Sequence, residues 1–173
     1  MEITQVLKEG ENTIVVMAED SVTDLEMPRG KQFWQKESAS IFYTRTTGIW
    51  QSVWLEAVGK GYLNYVHITP DLDYMKAEFQ YEINGVAKAQ LKTRISFEGC
   101  EMASLAVDAE REAGSFSVML DQQLLRNWNF QEDLAWTPEN PRLFDVEFTL
   151  SVDGEVVDEV TSYFGMRKVS VEN

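Results

Sequence analysis

The stretch Asp145–Val152, with the sequence DVEFTLSV, decides the fold of this chain. Apolar residues occupy its even positions and polar residues its odd ones, the pattern of a strand with one face on a core and the other in water. Asp153-Gly154 follows directly, and an Asp-Gly pair supplies the positive φ angles of a two-residue hairpin turn. Val156-Val157 then begins a returning strand. The sequence therefore predicts an antiparallel β-hairpin here.

Similar alternation recurs upstream of this hairpin. Four shorter segments show it: Tyr65–Ile68, Phe79–Ile83, Leu91–Phe97 and Phe116–Leu120. With the hairpin and a further strand at Met166–Val171, these make about seven short strands in about 110 residues. Such spacing is typical of an immunoglobulin-like β-sandwich, so the chain is predicted to be all-β.

One segment of this half fits two structures. Glu101–Gly114 is rich in Ala and Glu and ends in Gly, which suits a short helix with a glycine cap. The alternative is a strand through Leu105–Val107 followed by a turn at Glu110–Gly114. We favour the strand because strands are predicted on both sides of it.

The first sixty residues look like part of a larger domain. Strands are predicted at Thr13–Ala18, Ile41–Tyr43 and Val53–Leu55, with a long loop, Asp20–Ser40, between the first two. Three strands cannot close a sandwich, and they would leave exposed edges. We therefore expect two domains, residues 1–60 and 61–173, that meet near Gly59-Lys60-Gly61.

Composition excludes several classes of function. The chain has 173 residues, 15 basic against 29 acidic groups, and a net charge of −14, which argues against a nucleic-acid partner. Its apolar runs are too short for a membrane-spanning helix. One cysteine, Cys100, and one histidine, His67, exclude a disulfide framework and a Cys/His metal cage. We expect no metal, no cofactor and no membrane partner.

The residues themselves offer no catalytic constellation. His67 falls on a predicted strand without a second histidine, and Cys100 follows a glycine at a predicted turn, where an inert thiol is expected. The long loop combines charged, amide and aromatic groups, which can hold sugar hydroxyls and stack on sugar faces. Its sugar-binding candidates are Asp20, Arg29, Lys31, Gln32 and Trp34. A solvated surface loop is the alternative.

Four stretches of the chain share a recognisable pattern. They are Gly10–Val16 (GENTIVV), Pro28–Gln32 (PRGKQ) with Tyr43–Glu56 (YTRTTGIWQSVWLE), Trp136–Phe144 (WTPENPRLF) and Tyr163–Val169 (YFGMRKV). In this order and spacing the chain resembles the non-catalytic domains of glycoside hydrolase family 2, the group of β-galactosidases, β-glucuronidases and β-mannosidases. The Gly-Ile-Trp and Phe-Gly-Met-Arg stretches are the more specific.

The resemblance implies a division of labour. Residues 1–60 correspond to the end of a sugar-binding jelly roll whose earlier strands lie upstream of Met1, and 61–173 to an immunoglobulin-like domain. The catalytic barrel would follow Asn173 and carry two glutamates, one of them after an asparagine, but no Asn-Glu dipeptide occurs here. The chain alone is thus expected to be inert, although its bacterial parent enzyme hydrolyses O-glycosidic bonds of carbohydrates.

The resemblance also suggests roles for individual residues. Trp136 and Arg167 are candidates for contact between domains, with Arg167 facing the catalytic barrel. Core or interface packing is favoured over sugar stacking for Trp50, Trp54 and Trp136. Phe144 stands where relatives commonly carry Tyr, so a hydrogen bond from that hydroxyl is absent or is replaced by packing.

The sequence also fits two functions other than that of a hydrolase part. One is a stand-alone carbohydrate-binding module, and the other is an immunoglobulin-like interaction module that does not depend on sugars. The incomplete first half also predicts self-association through an exposed edge or face. Localisation is not encoded in these residues, since a signal peptide would lie upstream; a cytoplasmic location is favoured over a periplasmic or secreted one.

Overall fold

The computed structural model describes residues 1–21, 24, 26–120 and 134–171. It has two units, Met1–Leu55 (unit 1) and Glu56–Asn173 (unit 2). The strands of the described residues all lie in unit 2: β1 Tyr62–Asp71, β2 Lys76–Asn84, β3 Ala89–Phe97, β4 Cys100–Ala109, β5 Ala113–Met119, β6 Phe144–Val152 and β7 Glu155–Phe164. In these same ranges the structure has no helix long and apolar enough to span a bilayer.

The hairpin predicted at Asp153-Gly154 is confirmed. β6 pairs antiparallel with β7, and Val152 lies opposite Glu155. Both turn residues have positive φ, 51° at Asp153 and 85° at Gly154, as a turn of this type requires. The even residues of β6 from Phe144 to Leu150 are buried and the intervening ones are not, so the alternation of the sequence is the alternation of the two faces.

The strands form two antiparallel sheets. The three-stranded sheet has the order β1-β2-β5 and the four-stranded sheet the order β4-β3-β6-β7. The chain changes sheet after β2, after β4 and after β5. This three-on-four arrangement is an immunoglobulin-like β-sandwich, as predicted.

The core of unit 2 lies between these sheets and is strongly aromatic. Phe79 of β2 packs edge-on against Phe148 of β6, with ring centroids 5.8 Å apart. Near one end of β6, Phe144 is fully buried and stacks on Phe164 at 5.1 Å. The centroid of its ring also lies 4.7 Å from that of Phe97. Aromatic rings therefore pack around Phe144, the residue that stands where relatives commonly carry Tyr.

The ambiguous segment Glu101–Gly114 is not a helix: it holds most of β4, a shorter turn than predicted, and the first two residues of β5. Residues Cys100–Ala109 form β4, which pairs with β3 along its length. A strand is favoured here because β3 offers a complete hydrogen-bonding edge. The strand predicted at Met166–Val171 is wrong. Among the described residues of that segment only Met166 pairs, in an isolated parallel bridge to Ala135.

Unit 1 differs from its predicted structure. None of Thr13–Ala18, Ile41–Tyr43 and Val53–Leu55 is a strand; the described residues of unit 1 contain a 3₁₀ turn at Thr4–Val6 and one parallel bridge between Gln32 and Tyr43. A strand exists only through its hydrogen bonds to a neighbour. Among the described residues, the run Ile41–Tyr43 pairs only through Tyr43, and the other two runs pair with no other segment.

Candidate functional site

The predicted sugar-binding residues lie in unit 1, where each is tied to a different part of the backbone or to another side chain. Arg29 donates to the backbone oxygen of Asp24, and the Asp20 carboxylate accepts a hydrogen bond from the Thr47 hydroxyl at 3.3 Å. The Gln32 side-chain oxygen accepts from the Thr46 backbone N–H at 2.9 Å. Residues 22, 23 and 25 of this loop lie outside the described residues. Because the Gln32 oxygen is engaged, its free contribution to a ligand is its NH₂ group.

Lys31 and Trp34 are placed by pairing with the segment around Tyr43. The Tyr43 N–H donates to the Lys31 carbonyl at 2.8 Å, and the Phe33 N–H donates to the Tyr43 carbonyl at 2.9 Å. Trp34 packs edge-on against Phe42 at 5.1 Å, and 43% of its surface stays exposed. Trp34 therefore combines a fixed ring with an accessible part, which a sugar-stacking residue needs.

Two residues of the same segment were missed by the sequence interpretation. Lys36 and Arg45 line a small pocket of about 90 Å³ beside the Phe33 and Tyr43 side chains. Arg45 belongs to a stretch that carried the family resemblance, yet nothing in its spacing marked it as a ligand. A count of local charge could have found it, since residues 29–45 hold four basic groups and one acidic group.

The two predicted interdomain residues of unit 2 lie against each other. The Trp136 N–H donates to the Met166 carbonyl at 2.7 Å, which brings the two chain segments side by side. The Arg167 guanidinium lies over the Trp136 ring, 5.2 Å from its centroid. A Cβ on Gly165 would approach Trp136 Cβ to 3.0 Å, so a residue without a side chain lets the indole lie this close. Trp136 is half-buried and Arg167 is exposed.

A charged pocket adjoins this stacked pair. Its volume is about 220 Å³, and Arg167 and Lys168 line it together with Asp71, Asp73 and Glu78. Lys168 Nζ donates to the Asp73 carboxylate at 2.7 Å, and this hydrogen bond raises the pKa of Lys168. The pocket therefore offers both basic and acidic side chains to a polar group.

The described residues show no catalytic arrangement of carboxylates. Glu147, on β6, accepts a 2.9 Å hydrogen bond from Arg94 Nε, and this contact lowers the pKa of Glu147. A general acid of a glycosidase needs the opposite shift. Across the described ranges, no three His, Cys, Asp or Glu side chains are grouped so that they could hold a metal ion. His67 and Cys100 are both exposed, and neither belongs to a metal-binding group among the described residues.

The tryptophans of the Gly-Ile-Trp stretch are exposed rather than packed. Trp50 and Trp54 keep 86% and 72% of their surface accessible, so the core packing favoured for them from sequence is not present in unit 1. Ile49, Gln51 and Ser52 share an open depression with them. Interface packing remains a prediction for both residues.

Comparison with known proteins places these features in a family. A model of the family described as "Glycosyl hydrolases family 2" matches residues 61–167. A β-galactosidase of Oenococcus oeni is 25% identical over 179 residues, which are 99% of this chain and 16% of that protein. A β-galactosidase of Thermoanaerobacter pseudethanolicus is 25% identical over 177 residues, 97% of this chain and 22% of that protein.

Among solved structures, a β-glucuronidase of Bifidobacterium dentium is 20% identical, with a TM-score of 0.49; the alignment covers 65% of this chain and 19% of that one. The chain thus spans between 15% and 22% of the length of the curated relatives that it matches. Because the family match extends over more than half of the 173 residues, the chain belongs to glycosyl hydrolase family 2.

Proposed function

We propose that the chain is a non-catalytic part of a glycoside hydrolase of the β-galactosidase and β-glucuronidase group. The supporting observation is that nearly the whole chain aligns with a small share of such enzymes. The described residues of unit 2 form a β-sandwich with a packed core and exposed ion pairs, which suits a supporting domain. The enzyme that contains this chain acts on carbohydrates, and the chain supports the domain that carries the active site.

The test compares the purified 173-residue chain with the product of the complete reading frame that encodes it. Both are assayed with nitrophenyl β-galactoside and β-glucuronide. We expect no release of nitrophenol by the chain and steady release by the complete product. Turnover by the chain alone, or inactivity of a folded complete product on both substrates, contradicts the proposal.

Within that enzyme we propose that Trp136 and Arg167 contact the catalytic domain. Arg167 is exposed, yet its guanidinium is held over the indole, so little side-chain entropy is lost when a partner surface binds it. Arg167→Ala in the complete product should lower its melting temperature and kcat, whereas Arg111→Ala, which changes an exposed arginine of the β4–β5 turn, should change neither. Equal effects of the two variants contradict this role.

We also propose that the candidate loop residues Asp20, Arg29, Lys31, Gln32 and Trp34 contribute a wall of the sugar site. The partly exposed Trp34 ring, fixed against Phe42, supports this. Trp34→Ala in the complete product should raise KM several-fold with a smaller change in kcat, because stacking binds the ground state and the transition state alike. Trp34→Phe should restore part of the affinity. An unchanged KM excludes the contact.

Unit 1 is further proposed to cause self-association when the chain is isolated. Trp50, Trp54, Val15 and Met17 are each more than two thirds exposed, and large exposed apolar side chains of this kind mark interaction surfaces. Sedimentation velocity of the 173-residue chain should show a mass that rises with concentration. The double variant Trp50→Ser, Trp54→Ser should weaken association about tenfold. A monomer at all concentrations contradicts this.

A further inference from the structure

One part of this acidic protein is basic. Between residues 29 and 45 there are four basic side chains, Arg29, Lys31, Lys36 and Arg45, against a single acidic one, Glu37. The local net charge is therefore +3 in a chain whose total is −14. A region of net positive charge raises the local concentration of anions.

A pocket lies in the middle of this basic region. Lys36 and Arg45 line it as cations, and the hydroxyls of Ser38 and Thr44 line it as donors. These two hydroxyl oxygens are 3.4 Å apart, and their hydrogen bond joins the two chain segments that form the pocket. Its volume of about 90 Å³ suits one small acidic group, and the Tyr43 side chain borders it.

The guanidinium of Arg45 is incompletely satisfied within the described residues. Its Nη1 atom is buried from solvent and has no hydrogen-bond partner among them. Buried charged donors are almost always paired, because an unpaired one loses its hydration without compensation. Because Nη1 has almost no accessible surface, a ligand in the pocket can supply its acceptor only after the Arg45 side chain turns toward the pocket that it lines.

We propose that this pocket binds the carboxylate of an acidic sugar. A carboxylate offers two acceptor oxygens to the planar fork of Arg45, and Lys36 adds a point charge. One of the Ser38 and Thr44 hydroxyls donates to the other, so one O–H remains for the ligand. The aromatic side chains of Phe33 and Tyr43 supply apolar surface for the sugar ring. The inference rests on the proposed function, because it names the kind of sugar that the candidate loop receives.

The test is a titration of the ¹⁵N-labelled 173-residue chain followed by NMR. Glucuronate and glucose differ at C6, where one carries a carboxylate and the other a hydroxymethyl group. We expect saturable shifts of the Arg45 Nε–Hε signal and of the Ser38 and Thr44 amides with glucuronate, and binding of glucose at least about tenfold weaker. A titration with sodium sulfate tests whether any anion binds, and sulfate should bind more weakly than glucuronate.

The variants separate charge from geometry. Arg45→Gln should weaken glucuronate binding about tenfold or more, and Arg45→Lys, which keeps the charge without the fork, should recover part of it. Arg111→Gln, a surface change in unit 2, should leave it unaltered. An unperturbed spectrum outside residues 29–46 shows that each variant is folded; should Arg45→Gln unfold unit 1, Lys36→Gln is used instead, with several-fold weakening expected.

The failures are distinguishable. Equal affinity for glucuronate, glucose and sulfate overturns the carboxylate site and leaves the sugar wall untouched. Absence of shifts with every ligand overturns the site even if the complete product hydrolyses glycosides. Glucuronate binding that depends on Arg45 supports the site even if the complete product is inactive, in which case the hydrolase proposal alone fails.

Discussion

The two units use apolar residues in opposite ways. In unit 2, Phe144 is 0% exposed because its strand has partners on both sides and a second sheet above it. In unit 1, Trp50 is 86% exposed, although the segment around it is as apolar as most of the strands. The difference teaches that an apolar run folds into a strand only where neighbouring strands supply hydrogen bonds and a covering surface.

The strongest test of this difference exchanges an aromatic ring for a methyl group in each unit. Phe144→Ala removes a ring that packs on Phe97 and Phe164, so it should cost about 3–5 kcal/mol of the free energy of unfolding. Trp50→Ala removes a larger but exposed ring and, at protein concentrations where the chain is monomeric, should change this free energy by less than about 0.5 kcal/mol. Urea unfolding followed by circular dichroism at the β-sheet band measures both.

A comparable loss in the two variants would contradict the comparison. It would mean that Trp50 is buried in solution, either in unit 1 or in an association between chains. Repeating the Trp50→Ala measurement at a tenfold lower protein concentration separates these cases, because only association depends on concentration.

The sequence predicts unit 2 well because its signals are local and agree with its long-range structure. The alternation of β6 and the Asp-Gly turn define the hairpin, and each strand finds a partner of matching length. The segment of β4 was ambiguous because its Ala and Glu residues favour a helix locally, and the edge of β3 overrides that preference. In unit 1, the apolar runs predicted strands, but among its described residues only Tyr43 pairs with another segment.

The candidate sites were less predictable than the fold. Trp136 and Arg167 could be named from the family resemblance, but their stacking depends on the backbone bond from Trp136 to Met166. Arg45 was missed because solvent burial of one nitrogen is a property of tertiary structure, and no spacing rule encodes it. Residue types therefore indicated which chemistry is available, and packing determined which groups lack a partner.

A second way to sharpen the comparison asks how closely the backbone of unit 2 is packed. Gly85 and Gly99 have nearly equal φ angles, +78° and +79°, so alanine pays the same left-handed penalty of about 1–2 kcal/mol at each. At Gly85 a Cβ would lie 1.6 Å from the Lys60 carbonyl oxygen, whereas at Gly99 it would meet nothing within 4 Å. Gly85→Ala should therefore destabilise by about 2 kcal/mol more than Gly99→Ala.

Thermal unfolding of the two glycine variants, measured side by side, checks this expectation. Equal melting temperatures would show that the segment before β1 moves away from Gly85 at little cost. The close approach would then not contribute to the rigidity of unit 2.

A smaller effect is expected from the one buried hydroxyl that interrupts the apolar face of β3. Thr93 is fully buried, and its Oγ1 has no hydrogen-bond partner among the described residues. Thr93→Val removes this unpaired group at similar size and should stabilise unit 2 by about 1 kcal/mol. Thr149→Val, on the less buried face of β6, is the matched control and should have little effect. Destabilisation by Thr93→Val would reveal a hydrogen bond that the hydroxyl makes in solution.

The smallest effect separates surface charge from core packing in unit 2. The hydrogen bond from Arg94 lowers the pKa of Glu147, so the ionised carboxylate is favoured in the folded state. Its contribution to stability is therefore present above the ordinary glutamate pKa of about 4.3 and is lost as pH falls through the lower folded value. Glu147→Gln should reduce the urea midpoint slightly at about pH 6 and leave it unchanged at about pH 2.5.

The control for this pair is Glu159→Gln on β7, a carboxylate with no ion-pair partner among the described residues, which should show no such pH-dependent difference. Added salt should also shrink the Glu147 effect, because the pair is exposed. A Glu147→Gln difference that persists at low pH would point to lost packing rather than lost charge. The stability of unit 2 would then depend on its outer face as well as on its aromatic core.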